Sequence, residues 1–316
     1  MRKIKLSLIV TVLNEEKYIG KLIDSISIQT KIPDEIIIVD GGSIGNTVAK
    51  IQNSKFKIQN YKSKFKIIIK PGNRSVGRNE AIRKTTGDII LSTDAGCILD
   101  KNWVRNIVEP FFDPRVDVVA GYYKGLAENV FQKSLTPYVL VMEDKIKEEF
   151  LPATRSMAFR KEVWKKIGGF DENLSHNEDY AFANKIKKLG FKIKFVQDAV
   201  VNWIPRKNIK QAFVMFFRFA LGDIEANIFR TKVVFIFLRY VFALYLIPLN
   251  FIMRSSSLGI ITVFLFVSYI LWSIYKNYKY VKSYKAFLYL PLLQFASDIA
   301  VLSGASVGLV KKINLK

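Results

Sequence analysis

Apolar positions fall into two patterns along the chain. Over the first two-thirds, short runs of strand length alternate with amphipathic stretches. Residues 6–13 are apolar and rich in β-branched side chains. Residues 35–39, introduced by Pro33-Asp34, form a second such run, 65–70 a third and 88–93 a fourth. Between them, 15–29 puts Ile19, Leu22, Ile23 and Ile26 on one helical face, and 75–86 reads as a helix that stops at Gly87. Strands alternating with helices in this way predict an α/β fold, a mostly parallel sheet flanked by helices. Ligands of such sheets bind beyond the carboxyl ends of the strands, so the residues after Val39 and Thr93 are where chemistry is expected.

After about residue 204 the pattern changes. Residues 209–221 set Phe213, Met215, Phe216, Phe217 and Phe219 beside Lys210 and Arg218, which suits a helix in a membrane interface or one packed on the rest of the protein. Three long apolar stretches follow: 233–253 with Arg239 and Pro248, the uncharged 258–275, and 286–310 with Pro291 and Asp298. Three segments are therefore expected: an α/β domain at 1–205, an amphipathic interfacial linker at 206–232 and a membrane region at 233–316 with two to three apolar helices.

Composition supports a membrane location. Half of the 316 residues are hydrophobic, and the mean hydropathy is +0.15. From residue 230 onward there are eleven Lys and Arg against one acid, Asp298, so this tail carries +10 of the chain's +22. Basic loops beside apolar spans face the cytoplasm. Lys276, Lys279, Lys282 and Lys285, with Arg230 and Lys232, thus place the large domain on that side of the cell membrane in a multi-pass arrangement. The turn at 254–257 would lie outside. A third span would carry Lys311 and Lys312 outside, against the rule, so it either stops short or is an exception. No nucleic-acid-binding motif accompanies the positive charge, and no nucleic-acid partner is expected. The single cysteine, Cys97, excludes a disulfide framework and suits a reducing compartment. Residues 6–13 are followed at once by Asn14-Glu15-Glu16 and read as a strand rather than a signal peptide. Ser-Lys-Phe-Lys-Ile occurs at 54–58 and again at 63–67, a basic near-repeat expected to be a surface insertion.

Four acidic clusters punctuate the first two-thirds: Asp40-Gly41-Gly42-Ser43, Asp94-Ala95-Gly96, Gly168-Gly169-Phe170-Asp171-Glu172, and Glu178-Asp179 at a helix start. Each alone reads equally as a turn or cap. An acid after a strand can also reach a cation that holds a diphosphate, and one in a cleft can act as a base.

With Ser7–Glu16, Asp34–Ser43, Gly77-Arg78-Asn79-Glu80-Ala81-Ile82 and Gly87–Ala95, these clusters make the chain resemble the family 2 inverting glycosyltransferases of the GT-A fold. The resemblance runs from about Leu6 to Trp203. It implies a GT-A nucleotide-diphospho-sugar transferase fold with C-terminal transmembrane helices added. It also implies that Val12, Asn14 and Glu15 line the nucleotide pocket and that Asp40 recognises the donor base, usually uracil. Arg78 would lie near the diphosphate. Asp94 would help hold Mg²⁺ or Mn²⁺, and Asp179, second of the pair with Glu178, would be the catalytic base. The implied donor is a UDP-sugar, and the tethered site suggests a lipid-linked sugar or cell-envelope glycan as acceptor. Two positions depart from the family pattern: Gly45 stands for the second acid of Asp-Gly-Ser-x-Asp, and Gly96 for that of Asp-x-Asp. The alternative reading is a catalytically degenerate membrane protein that binds nucleotide sugar without turnover. The lone His176 is better read as a polar surface residue than as a rival base. No Gln-x-x-Arg-Trp element precedes the apolar stretches, which favours transfer of single sugars.

Overall fold

The computed structural model describes residues 4–59, 64–146, 150–253 and 256–314. Residues 60–63 of the repeated stretch, and Arg254 and Ser255 of the expected turn, lie outside the described residues. The chain divides into two compact units, Met1–Leu126 with Val141–Ile204, and Ala127–Leu140 with Pro205–Lys316.

The first unit is built on an eight-stranded sheet in the order β3-β2-β1-β4-β7-β6-β8-β5. The four expected strands are β1 (Leu6–Val12), β2 (Glu35–Asp40), β3 (Lys64–Ile69) and β4 (Ile89–Asp94), all mutually parallel. Every residue of β2 is buried, which is why its apolar run does not alternate. β3 is an edge strand, and its exposed Lys64 and Lys66 discourage further pairing there. The rest of the sheet is mixed: β5 (Cys97–Leu99), β6 (Val118–Gly125), β7 (Met157–Arg160) and β8 (Ile193–Trp203). β7 runs antiparallel to both β4 and β6, while β8 pairs parallel with β6 and antiparallel with β5.

The helices of this unit are α1 (Ile19–Ser27), α2 (Thr47–Gln59), α3 (Arg74–Lys84), α4 (Trp103–Val108), α6 (Lys161–Ile167) and α7 (Glu178–Lys188); α5 (Val130–Val139) belongs to the second unit. Helix α1 starts four residues later than its periodicity predicts. Asn14 takes a left-handed φ of 55°, and the Glu15 carbonyl accepts from the Tyr18 and Ile19 N–H groups, so 15–18 form a turn. Ile9, Ile37 and Ile90 of the sheet pack with Ala81 and Ile82 of α3 and with Phe159 and Phe182 in one core. Strand register sets Val12 beside Asp40 and Thr11 beside Asp94, so the ends of β2 and β4 flank the end of β1.

The second unit holds α5, α8 (Ile209–Glu225), α9 (Thr231–Met253), α10 (Ser256–Val281) and α11 (Ala286–Asn314). Three of its helices have spans long and apolar enough to cross a membrane: Thr231–Asn250, Ser256–Val281 and Ala286–Asn314. α11 runs unbroken through Pro291 and Asp298. Asp298 is 1% exposed and fully engaged. It accepts from Arg239 at 2.7 Å, Tyr240 at 3.2 Å and Gln294 at 3.0 Å, and also from the Tyr269 hydroxyl. α8 packs closely on α11 because Gly304 has no side chain: a Cβ there would sit 2.3 Å from the Phe217 carbonyl oxygen. α5 joins the same bundle. The Tyr138 hydroxyl donates to the Leu290 carbonyl at 2.9 Å, and Phe131 meets Tyr289 edge-on at 5.6 Å.

Candidate active site

The ends of the parallel strands carry the expected residues. After β1, the Asn14 N–H donates to Ser43 Oγ at 2.7 Å and Asn14 Oδ1 accepts from the Ile44 N–H at 3.1 Å, tying this loop to the one after β2. Val12 is the buried last residue of β1, and Glu15 begins the turn described above. Asp40 is buried and organises its own loop. Oδ1 accepts from the Gly42 and Ser43 N–H groups at 2.9 and 2.7 Å, and Oδ2 from Ser43 Oγ at 2.6 Å. Gly45 is explained by Glu16, whose carboxylate accepts from the Asn46 N–H at 2.8 Å. A Cβ at position 45 would lie 2.7 Å from Glu16 Oε2, so an aspartate there would press one carboxylate against another.

Beside this loop pair, three acids and an arginine from distant parts of the sequence converge. Arg78 of α3 is 2% exposed and donates to Glu178 at 2.5 Å and to Asp94 at 3.0 Å. Helix α3 is started by Asn73, whose side chain accepts from the Val76 N–H at 3.0 Å. The Arg78–Glu178 pair is buried on both sides, and removing one partner of such a pair costs about 3–5 kcal/mol. Burial alone would raise the Asp94 and Glu178 carboxyls. The Arg78 charge, aided at Asp94 by Arg155 and Arg74 and at Glu178 by Arg74, outweighs it and holds both below the usual range. Asp179 goes the other way: burial raises its carboxyl, and the negative charge of Glu178 raises it further. Asp179 is half-buried, and its Oδ1 accepts from the Tyr180 N–H at 2.8 Å. Two adjacent carboxyls are thus driven apart in acidity, the pattern of a functional acid–base site.

The Gly168–Glu172 loop is fixed by α3. The Asn79 side chain accepts from the Phe170 N–H at 2.9 Å, donates to the Phe170 carbonyl at 2.8 Å and donates to Glu172 at 2.8 Å. Phe170 then stacks on Phe182 of α7 at 4.1 Å. His176 Nδ1 lies 2.8 Å from Ser175 Oγ, and Asp100 accepts from the Asn102 N–H at the start of α4.

Arg155 escaped the sequence analysis. No motif surrounds it, and it reaches the cluster only because β7 pairs with β4. Its guanidinium lies 3.9 Å from Asp94, over the Tyr123 ring at 5.8 Å and the Trp203 ring at 5.2 Å.

Among the described residues, no group of three or more His, Cys, Asp or Glu could enclose a metal ion. A Cβ at Gly96 would meet nothing within 4 Å, so the open space beside Asp94 offers no second carboxylate. This donor set fits a cation that shares one protein carboxylate with substrate phosphates and water, not one caged by protein.

Parallel strands whose loops gather acids and arginines beyond their carboxyl ends place this cluster where α/β sheets bind their ligands. The family model described as Glycosyl transferase family 2 matches residues 7–168, and that of Glycosyl transferase family group 2 matches 89–294. The chain belongs to glycosyl transferase family 2 and is a glycosyltransferase. It is 29% identical over 227 residues to the O-antigen chain rhamnosyltransferase RfbN of Salmonella typhimurium, covering 66% of this chain and 70% of that one. It is 25% identical over 324 residues, 97% of each chain, to the dolichyl N-acetyl-alpha-D-glucosaminyl phosphate 3-beta-D-2,3-diacetamido-2,3-dideoxy-beta-D-glucuronosyltransferase of Methanococcus voltae. Among solved structures, the mannosyltransferase PcManGT of Pyrobaculum calidifontis, in complex with GDP-Man and Mn²⁺, shares the fold. Its TM-score is 0.71 at 18% identity, covering 99% of this chain and 89% of that one. The GT-A fold expected from the motifs, with apolar C-terminal helices, is therefore the fold of this protein.

Proposed function

We propose that this chain transfers a single sugar, with inversion, from a nucleotide-diphosphate sugar to a hydroxyl of a lipid-linked sugar or envelope glycan at the cytoplasmic membrane face. The observation that carries the reading is the convergence of Asp94, Glu178 and Asp179 on Arg78, with Asp179 alone made more basic. Asp179 takes the proton of the attacking hydroxyl. Arg78, spent on Glu178 and Asp94, holds both acids in place. Glu178 stays ionised, and its charge keeps Asp179 a stronger base than an ordinary aspartate. Val12, Asn14, Glu15 and the loop shaped by Asp40 form the wall that receives the nucleoside. Uridine donors follow from the family resemblance, and guanosine donors are suggested by the nucleotide bound to PcManGT. A lipid-linked acceptor is supported by the Methanococcus relative, whose name specifies a dolichyl phosphate sugar.

A divalent cation, Mg²⁺ or Mn²⁺, would be held by Asp94 and would supply Lewis-acid neutralisation of the leaving diphosphate. The test is a screen of nucleotide sugars for thermal stabilisation and transfer, with either cation at millimolar concentration or with excess EDTA. Stabilisation with turnover that EDTA abolishes is expected. Stabilisation without turnover would establish the non-catalytic binder instead, and full activity in EDTA would remove the cation from the reaction.

A further inference from the structure

Within the arginine–carboxylate cluster, one cation is placed differently from the rest. Arg78 is buried and its guanidinium is committed to two carboxylates. Arg155 is 21% exposed, and among the described residues its guanidinium makes no hydrogen bond, only the 3.9 Å ion-pair contact to Asp94 Oδ2 and the two ring contacts. The arginine side chain has five N–H donors in a planar fork suited to phosphate oxygens.

Its backbone is nevertheless rigid. The Arg155 carbonyl accepts from Thr93 Oγ1 at 2.9 Å, directly beside Asp94. The next residue, Ser156, accepts from Trp103 Nε1 at 2.8 Å and donates to the Ala199 carbonyl at 3.1 Å. Tyr123 and Trp203 hold the guanidinium by cation–π contact, which orients a plane without consuming its N–H groups. Uncommitted donors on a rigid stem, at the carboxyl end of β4, have the form of an anion site.

Charge points the same way. Arg78 acts on Asp94, Glu178 and Asp179, Arg74 on the first two and Arg155 on Asp94 and Asp179. Three acids against three arginines leave the site near neutrality. A donor diphosphate adds two negative charges and needs donors not already spent on carboxylates. Asp94 can contribute a single carboxylate to a cation, because position 96 is glycine.

We propose that Arg155 is a diphosphate-binding residue, its guanidinium turning N–H donors to the diphosphate of the nucleotide donor. The proposal rests on the donor reading above. Calorimetric titration of the full-length protein in detergent, at fixed Mg²⁺, with UDP, UMP, GDP and GMP tests both separately. The wild type is expected to prefer the diphosphate of one nucleoside over its monophosphate. Arg155→Gln should weaken that diphosphate about ten- to a hundredfold and change the monophosphate less than about threefold, because one charge-assisted contact is lost. Arg155→Lys keeps the charge without the fork and should fall between. It also decides the matter should the Gln variant fail to fold. Equal effects on diphosphate and monophosphate, or none on either, would make Arg155 merely structural and overturn the proposal. A wild type that binds none of the four nucleotides would instead sink the uridine and guanosine donors of that reading, and this proposal with them.

Discussion

Glu178 and Asp179 are neighbours in the sequence, yet their carboxyls are driven in opposite directions by what each faces. Glu178 meets Arg78 directly; Asp179 meets burial and the charge of Glu178. If Asp179 is the base, Asp179→Asn keeps its shape but cannot take the hydroxyl proton. Turnover should fall by about two to four powers of ten, with donor affinity nearly unchanged because the contact is made in the transition state. Glu178→Gln should be milder and His176→Ala milder still; a dead His176→Ala beside an active Asp179→Asn would reassign the base. The pH dependence follows from the signs. Asp179 works ionised and its carboxyl is raised, so turnover should fall on the acid side at a pH above that of an ordinary aspartate. Asp94 and Glu178 are lowered, so their contribution to stability is present above the unfolded value and lost only as pH falls through their lower folded values. Activity should therefore disappear before the fold does. Turnover and circular dichroism measured across the same acid range check this, and simultaneous loss would contradict it.

At the scale of elements, Asp298 decides how three apolar helices associate. A carboxylate in an apolar helix needs partners, and all three helices supply them: Arg239 and Tyr240 from α9, Tyr269 from α10 and Gln294 from α11 itself. Asp298→Ala leaves Arg239 without its counter-charge and should destabilise the helical unit by about 3–5 kcal/mol. The double variant Arg239→Met with Asp298→Leu removes both charges and should recover much of that loss. Thermal unfolding in detergent measures both, and a double variant no better than the single one would refute the pairing argument. The close approach of α8 to α11 at Gly304 accounts for the mixed character of 209–221. Ala212, Met215, Phe216 and Ala220 are buried, while Lys210 remains outside the packed face.

At the scale of the whole molecule, the second unit draws on two stretches of chain. Helix α5 lies between strands of the catalytic sheet in the sequence, but its Tyr138 and Phe131 pack on Leu290 and Tyr289 of α11. Cutting the chain after Ile228 would strip α5 of these partners. The fragment should be poorly soluble compared with one in which Phe131 and Tyr138 are also made polar. Equal solubility of the two fragments in a sedimentation assay would show that the α5 surface does not matter. For topology, reporters fused near residue 280 should register as cytoplasmic, the side expected for the basic group formed by Lys276 and Lys279 at the end of α10 and Lys282 and Lys285 just after it. An external signal there would reverse the orientation.

The sequence by itself determined the parallel half of the sheet, because β1, β2 and β4 are buried on both faces and each carries a run of consecutive apolar residues. It also marked the strand ends as the candidate site, since Asp40 and Asp94 follow those runs directly. The long helices were legible for the same reason: length and apolar composition suffice. Tertiary structure alone decided what depends on partners far along the chain. Lys-Phe-Lys-Ile is helical at 55–58 in α2 and extended at 64–67 in β3, because only the second copy pairs with β2. Asp298 looks like an obstacle to a span until Arg239, fifty-nine residues earlier, folds against it. Arg155 carries no local signal, and it comes beside Asp94 only through the antiparallel pairing of β7 with β4. Local pattern reports which face of an element is buried; it does not report which charged residue will stand opposite once the elements have packed.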